Sequence, residues 1–419
     1  MQQTITVRMV REEEMEEVRR LSAICFDYPY VREEKEKEKK PEENRQEKSR
    51  DRQYGAYTDK DELMASMVAI PMPFYYEGKT VSGYGIGGVN TYPHHRKKGA
   101  IRAMFEKMLR DAYEEGKMLS YLYPFSESFY GKFGYCRMNN STRYTFALQG
   151  IPEKTWMGSF ELYREGQEDI MSACREAYKS YASRFNLMVE REEPDWKNLE
   201  DAKESVNNHY LYLYRDAAGK PAGYIVFWGR DKNLTCREFI FRDYETLGDM
   251  LAFMKGYASD YRNICFHAPS VLRLESMCRD FCAYPCKIER AMNGMVRIIN
   301  VKDALMRAAY RGSGRIVVCV SDPQLVENSG IFQVEFVDGR AVCVRVDAEE
   351  PGQAARVDAE EPGQIPACDI AMDINAFSAA IMGDYDPADL DYLPHVQVYN
   401  KTACAQVFYR KPSFINNFF

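Results

Sequence analysis

Two periodicities alternate along the chain. Apolar residues recurring at three and four positions predict helices, and apolar residues at every second position predict strands. Met15, Val18, Leu21, Ser22 and Cys25 share one face of a first predicted helix. Strand-like runs follow at Leu63 to Ile70 and Thr80 to Thr91, joined through a turn at Tyr76 to Lys79. The clearest helix comes after Gly99. Ile101, Met104, Phe105, Met108, Leu109, Ala112 and Tyr113 form its apolar stripe, and Gly116 stops it. A short strand, Met118 to Tyr123, ends at Pro124.

The middle third repeats this grammar. A helix over Ile170 to Phe185 precedes a hairpin that turns at Asp216 to Lys220. A strand over Arg237 to Phe241 leads into a helix carrying Leu247, Met250, Leu251 and Met254, and a further strand, Asn263 to His267, ends at Pro269. The junction before that helix reads FRDYETLGDML. Asp243 and Glu245 there would repel a phosphate, so this is a second copy of the first fold without its anion site. The last third begins near Met295 and has short strands at Arg315 to Val320 and Ile331 to Phe336. RVDAEEPGQ occurs at 345–353 and again at 356–364. A unit repeated only twice cannot build a solenoid, so it reads as a duplication inside an acidic surface loop. The charged run from Arg32 to Arg52 reads as a solvated loop or exposed helix, with a lid as the alternative.

A length of 419 residues exceeds one ordinary core and predicts two or three domains. With 45% hydrophobic and 28% charged residues the composition is globular. No apolar run approaches the ~20 residues of a membrane span, and the first residues lack a signal-peptide pattern. A cytoplasmic protein with no membrane partner is expected. The net charge of −7 argues against a nucleic-acid partner. The twelve cysteines are read as reduced thiols rather than disulfides. Cys278, Cys282 and Cys286 fall four apart and could line one helical face; with no His or paired CxxC beside them, no metal is expected.

The chemistry concentrates between Gly83 and Arg137. A glycine-rich strand, Gly83 to Gly88, can bulge and leave its neighbour, freeing backbone groups for an amide-bearing ligand arm. It continues into Val89, Asn90 and Thr91, and then into a basic loop from Arg96 to Gly99 that opens the long helix. Helix N-termini present unpaired N–H groups and a partial positive charge, a site suited to a pyrophosphate. Downstream, FYGKFGY at Phe129 to Tyr135 offers a phenol. His94 and His95 adjoin the loop and read as solvated. No Ser/His/Asp arrangement or metal-ligand spacing emerges.

Strand, RxxGxx loop, helix, strand and FYxxFGY together resemble the GNAT acetyltransferases. The whole chain looks like their "enhanced intracellular survival" branch. The resemblance implies an α+β protein: tandem GNAT folds, each a mixed central sheet flanked by helices, followed by a sterol-carrier-protein-like α/β domain. The expected domains are 1–150, catalytic; 151–294, degenerate; and 295–419, sterol-carrier-like. The implied activity is acetyl transfer from acetyl-CoA to a primary amine of a small cationic molecule, in a homo-oligomer, hexameric by the resemblance. Val89, Asn90 and Thr91 would meet pantetheine, Lys97, Lys98, Gly99, Ala100, Ile101 and Arg102 the pyrophosphate, and Ser126 would lie beside the cofactor. Tyr130 matches the general acid, and the terminal carboxylate of Phe419 matches the general base. Asp27 is a further candidate for the amine pocket. The alternative is a non-catalytic binder of hydrophobic ligands through the sterol-carrier-like domain.

Overall fold

The computed structural model describes residues 4–30, 51–200, 209–279, 282–291, 294–347 and 368–417. Residues 31–50 of the charged run lie outside these, as do Phe418 and Phe419. The RVDAEEPGQ repeat does too, except for Arg345 to Asp347.

In chain order the first part contains β1 (Thr6–Met9), α1 (Met15–Phe26), β2 (Arg52–Tyr57), β3 (Leu63–Tyr76), β4 (Lys79–Thr91), α2 (Ala100–Glu114), β5 (Leu119–Leu122), α3 (Glu127–Tyr130) and β6 (Cys136–Arg137). Then come β7 (Ser141–Ala147), β8 (Ser159–Leu162), α4 (Glu168–Ala182), α5 (Glu193–Glu200), β9 (Tyr210–Arg215), β10 (Pro221–Arg230) and β11 (Asn233–Phe241). These are followed by α6 (Tyr244–Lys255), β12 (Asn263–Pro269), β13 (Cys286–Ala291) and β14 (Met295–Ile298). The last part holds α7 (Val301–Arg307), β15 (Gly314–Ser321), β16 (Gly330–Val337), β17 (Arg340–Asp347), β18 (Ile370–Asp373), α8 (Ile374–Ile381), β19 (Val396–Val398) and α9 (Lys401–Val407). Three mixed sheets with flanking helices result, the α+β layout expected.

The two large sheets have one plan. The first runs β1-β2-β3-β4-β5-β14-β6 and the second β8-β9-β10-β11-β12-β7-β13. Position by position they correspond, with one reciprocal exchange. β7 follows the first domain in sequence but pairs with β12 and β13, whereas β14 follows the second domain and pairs with β5 and β6. The sheets are therefore not cut at 150 and 294, as expected from sequence; each copy lends its last strand to the other. A four-residue strand such as Met295–Ile298 fits either sheet by pattern alone, so its partner was not legible.

The stripe on α2 buries Met104, Phe105, Met108, Leu109 and Ala112 against the first sheet, as its spacing predicts. The opposite face of that sheet shares a core with the third domain, where Phe74, Tyr121, Val296 and Ile298 join Phe377, Ile381 and Phe408. Around Cys278, Cys282 and Cys286 the chain is a 3-10 turn, Leu274–Met277, followed by strand β13 rather than a helix. Pro285 interrupts the predicted helical face. All twelve cysteines are free thiols. Among the described residues no group of His, Cys, Asp or Glu is placed to hold a metal, and no helix is long and apolar enough to cross a membrane.

Candidate active site

The site is built where β4 and β5 part. These parallel strands pair only from Gly83 to Ile86 and from Leu119 to Leu122. Beyond Ile86, β4 stays with β3 through a bulge and re-pairs at Asn90 with Ser66 and Thr91 with Ala65. Gly88 sits in the bulge at φ 56, a left-handed conformation that glycine adopts without strain. The Val89 to Thr91 segment thus has β3 as a strand neighbour but not β5. Asn90 is buried, with its side-chain oxygen accepting from Ser66 Oγ and its amide donating to Ser22 Oγ, each at 2.8 Å. Its side chain is structural, and β5 does not pair with the backbone of this segment. The predicted face of α1 docks here, with the Cys25 thiol donating to the Thr91 carbonyl at 3.3 Å.

The Arg96–Gly99 loop then delivers the chain to α2. Lys97, Lys98, Gly99 and Arg102 are exposed, Ile101 is half-buried and Ala100 is buried. Gly99 occupies the N-cap position and no side chain caps the helix, so its first N–H groups remain open donors. An open helix N-terminus with four nearby cationic side chains, Arg96 to Lys98 and Arg102, fits a pyrophosphate. His95 departs from expectation. It is buried, with Nδ1 3.3 Å from Lys98 Nζ. Burial, then His94 and Lys98, depress its pKa, so the imidazole is neutral.

Tyr130 ends α3 and is buried among rings: Phe125 and Phe129 at 5.2 Å, Phe105 at 5.9 Å and Tyr135 at 6.4 Å. Burial, with Tyr135 adding, pushes the phenol well above its ordinary range and keeps it protonated. Ser126 starts α3; its carbonyl accepts from the Tyr130 N–H at 3.3 Å and its hydroxyl faces Ser128 at 3.2 Å. Asp27 is the exposed, left-handed C-cap of α1.

Sequence reasoning missed the groups that hold this loop from the third domain. Asn375 Nδ2 donates to the Gly131 carbonyl at 2.8 Å and to the Tyr135 carbonyl at 2.9 Å. Arg297 on β14 donates to the Phe133 carbonyl at 2.9 Å while paired with Asp322 at 2.8 Å, both side chains fully buried. Gly134 is required between them: a Cβ there would lie 2.9 Å from Ile374 and 3.0 Å from Arg297. No local motif announces such contacts, because Tyr130 and Asn375 lie far apart in sequence.

The chain's last described residues pack against the first and second domains. Lys411 is buried beside Glu77 at 2.9 Å, and the Asn186 N–H donates to Pro412. Phe414 enters the second domain's core and Ile415 the core shared by the first and third. The Tyr123 hydroxyl then donates to the Asn417 carbonyl at 2.5 Å. Tyr123 directly follows Leu122, the last β5 residue paired with β4. The tail therefore arrives at the fork. The Phe419 carboxylate itself lies outside the described residues.

A forked sheet, an open basic helix end and a buried protonated phenol suit acyl transfer, and the comparisons with known proteins support an acetyltransferase. Residues 6–138 match the family model of an acetyltransferase (GNAT) domain, 187–298 match a second such model, and 301–415 match a sterol carrier protein domain. No curated protein matches the chain. Among solved structures it is similar to a probable N-acyltransferase from Enterococcus faecalis, at 21% identity and TM-score 0.79, covering 99% of this chain and 100% of that one. It is also similar to a GCN5-related N-acetyltransferase from Anabaena variabilis, at 18% identity and TM-score 0.79 with the same coverage. Eis1 from Mycobacterium abscessus aligns at 17% identity and TM-score 0.74, again over 99% and 100%. At these identities the likeness is one of fold.

Proposed function

We propose that this acetyltransferase moves acetyl from acetyl-CoA to a primary amine of a small cationic molecule, aminoglycoside-like, polyamine or lysine-type, in the manner of the enhanced intracellular survival branch. The observation that carries the reading is one convergence. α2, with its uncapped N-terminus, follows β4, the Tyr130 loop follows β5, and Tyr123, next after the last β5 residue paired with β4, donates to Asn417 of the tail. Backbone groups of Val89 to Thr91 would pair with the pantetheine amides, and the α2 N-terminus with Lys97, Lys98 and Arg102 would hold the pyrophosphate.

In the proposed reaction the terminal carboxylate of Phe419 takes a proton from the acceptor ammonium. The neutral amine adds to the thioester carbonyl, the C–S bond breaks, and Tyr130 gives its proton to the departing thiolate; the second proton shed by the acylated nitrogen restores the phenol, and the Phe419 carboxyl releases its own to solvent. Free thiols have a pKa of about 8.5, so a phenol held protonated at neutral pH has its proton available for that step.

The test is thiol release from acetyl-CoA against a panel of amines, beside a variant lacking Phe418 and Phe419. Turnover that vanishes on truncation, with acetyl-CoA still bound, is the expected result. Neither turnover nor acetyl-CoA binding in the intact protein would overturn the reading.

A further inference from the structure

The second domain lacks the basic helix end of the first, yet it holds the last described residue of the chain. Asn417 is gripped from two domains. Its Oδ1 accepts from Arg191 Nε at 3.0 Å and its Nδ2 donates to Asp195 Oδ1 at 3.3 Å, while its carbonyl accepts from Tyr123 across the domain boundary. Arg191 is itself fixed. Its two terminal nitrogens donate to Glu238 at 2.7 and 3.0 Å, one of them also meets the Tyr224 hydroxyl at 3.3 Å, and the guanidinium lies 4.1 Å over the Tyr178 ring. The Arg191 and Glu238 side chains are 5% and 2% exposed. Burial opposes both charges, and their pairing outweighs it, keeping Arg191 protonated and Glu238 ionised.

A buried ion pair is weak evidence for stability, because apolar residues of similar volume often serve as well. What a guanidinium adds is direction. It is a rigid fork whose terminal nitrogens are taken by Glu238, leaving Nε aimed at Asn417. Phe419 is the second residue after Asn417, a chain reach of about 7 Å at full extension.

We propose that Arg191, acting through Asn417, is a positioning residue for the terminal base, so that the second domain serves catalysis by orienting the tail at the first domain's fork. This rests on the reading of the Phe419 carboxylate as the base. Proton abstraction demands placement to within a hydrogen bond, and a loosened tail forfeits it without touching the acetyl-CoA site.

Three variants of the full chain decide the matter: Asn417→Ala, Arg191→Lys, and deletion of Phe418 and Phe419. Each is measured for kcat across pH and for acetyl-CoA Kd. Asn417→Ala is expected to lower kcat roughly ten- to a hundredfold at neutral pH, the scale of a misplaced catalytic group, with Kd unchanged. The deficit should shrink as pH rises and the acceptor amine becomes neutral unaided. Arg191→Lys, which keeps the charge opposite Glu238 but loses the fork, should fall between Asn417→Ala and the intact enzyme; if it does not fold, Asn417→Ala decides alone. Full activity in Asn417→Ala beside an inactive truncation would overturn the positioning role and leave the terminal base standing. Full activity in the truncation would overturn the base, and this proposal with it. A deficit that does not change with pH, or one accompanied by lost acetyl-CoA affinity, would mean a purely structural role and would also overturn it.

Discussion

The two large sheets differ least where function would suggest they differ most. Both copies have a fork: β4 leaves β5 after Ile86, and β11 leaves β12 after Thr235. A parted pair of parallel strands is therefore a property of the fold. The helix that follows is what differs. α2 starts behind Gly99 with no side-chain cap and exposed Lys97 and Lys98 at its mouth. α6 starts behind Asp243, whose carboxylate accepts from the Thr246 N–H at 2.8 Å and binds Arg242 at 2.9 Å. One end is left open for an anion; the other is closed by an anion of its own. The fork of the second copy instead borders a cavity of about 380 Å3 lined by Arg143, Cys265 and His267 among others. The lesson is that a few residues at one helix end decide whether a forked copy presents an open anion site.

The largest effect that sharpens this contrast is expected at Tyr130. Tyr130→Phe should lower kcat by about a hundredfold or more, the usual worth of a positioned general acid, with acetyl-CoA binding retained. Because burial raises the phenol pKa, the intact enzyme should keep its general acid protonated beyond the ordinary phenol range of about 10. A kcat profile falling with pH well below that would contradict the assignment. Next comes the helix end itself. Lys98→Glu with Arg102→Glu gives the first copy the charge pattern of the second and should raise the acetyl-CoA Kd roughly ten- to a hundredfold, by loss of charge-assisted contacts. Titration calorimetry reads this directly, and an unchanged Kd would remove the loop from the cofactor site. Asn375→Ala follows. Leaving the Gly131 and Tyr135 carbonyls without their donor should cost about 1–3 kcal/mol of stability and loosen Tyr130, so kcat should drop while Kd holds. An unchanged kcat would show that the third domain does not steady the acid.

Much of this contrast was legible in the sequence, and the reason is local. The α2 stripe, its stop at Gly116, the basic loop and the acidic FRDYETL junction are all encoded within a few residues of where they act. The strand exchange was not legible, because β7 and β14 carry patterns that suit either sheet. Nor were the clamps: Asn375 holds Gly131, and Arg191 holds Asn417, across hundreds of residues. His95 was misread because a histidine in a turn gives no sign of what will cover it, and here it is buried. Contacts that depend on domain packing leave no periodicity to read.

The smallest effect is expected at Asp243, and it probes the comparison from the other side. Asp243→Ala removes the α6 cap and frees the Thr246 N–H. Losing such a cap costs about 1 kcal/mol, a modest shift in the denaturation midpoint. Uncapping should not create a second cofactor site. Arg242 stays paired with Asp216 at 2.7 Å, Glu245 still sits in the first turn of α6, and no basic loop precedes the helix. Calorimetry should therefore find the same number of acetyl-CoA equivalents per chain as in the intact protein. A second equivalent would mean that one carboxylate had been closing a site the rest of the fold preserved, and the two copies would then differ by a single cap rather than by a whole loop.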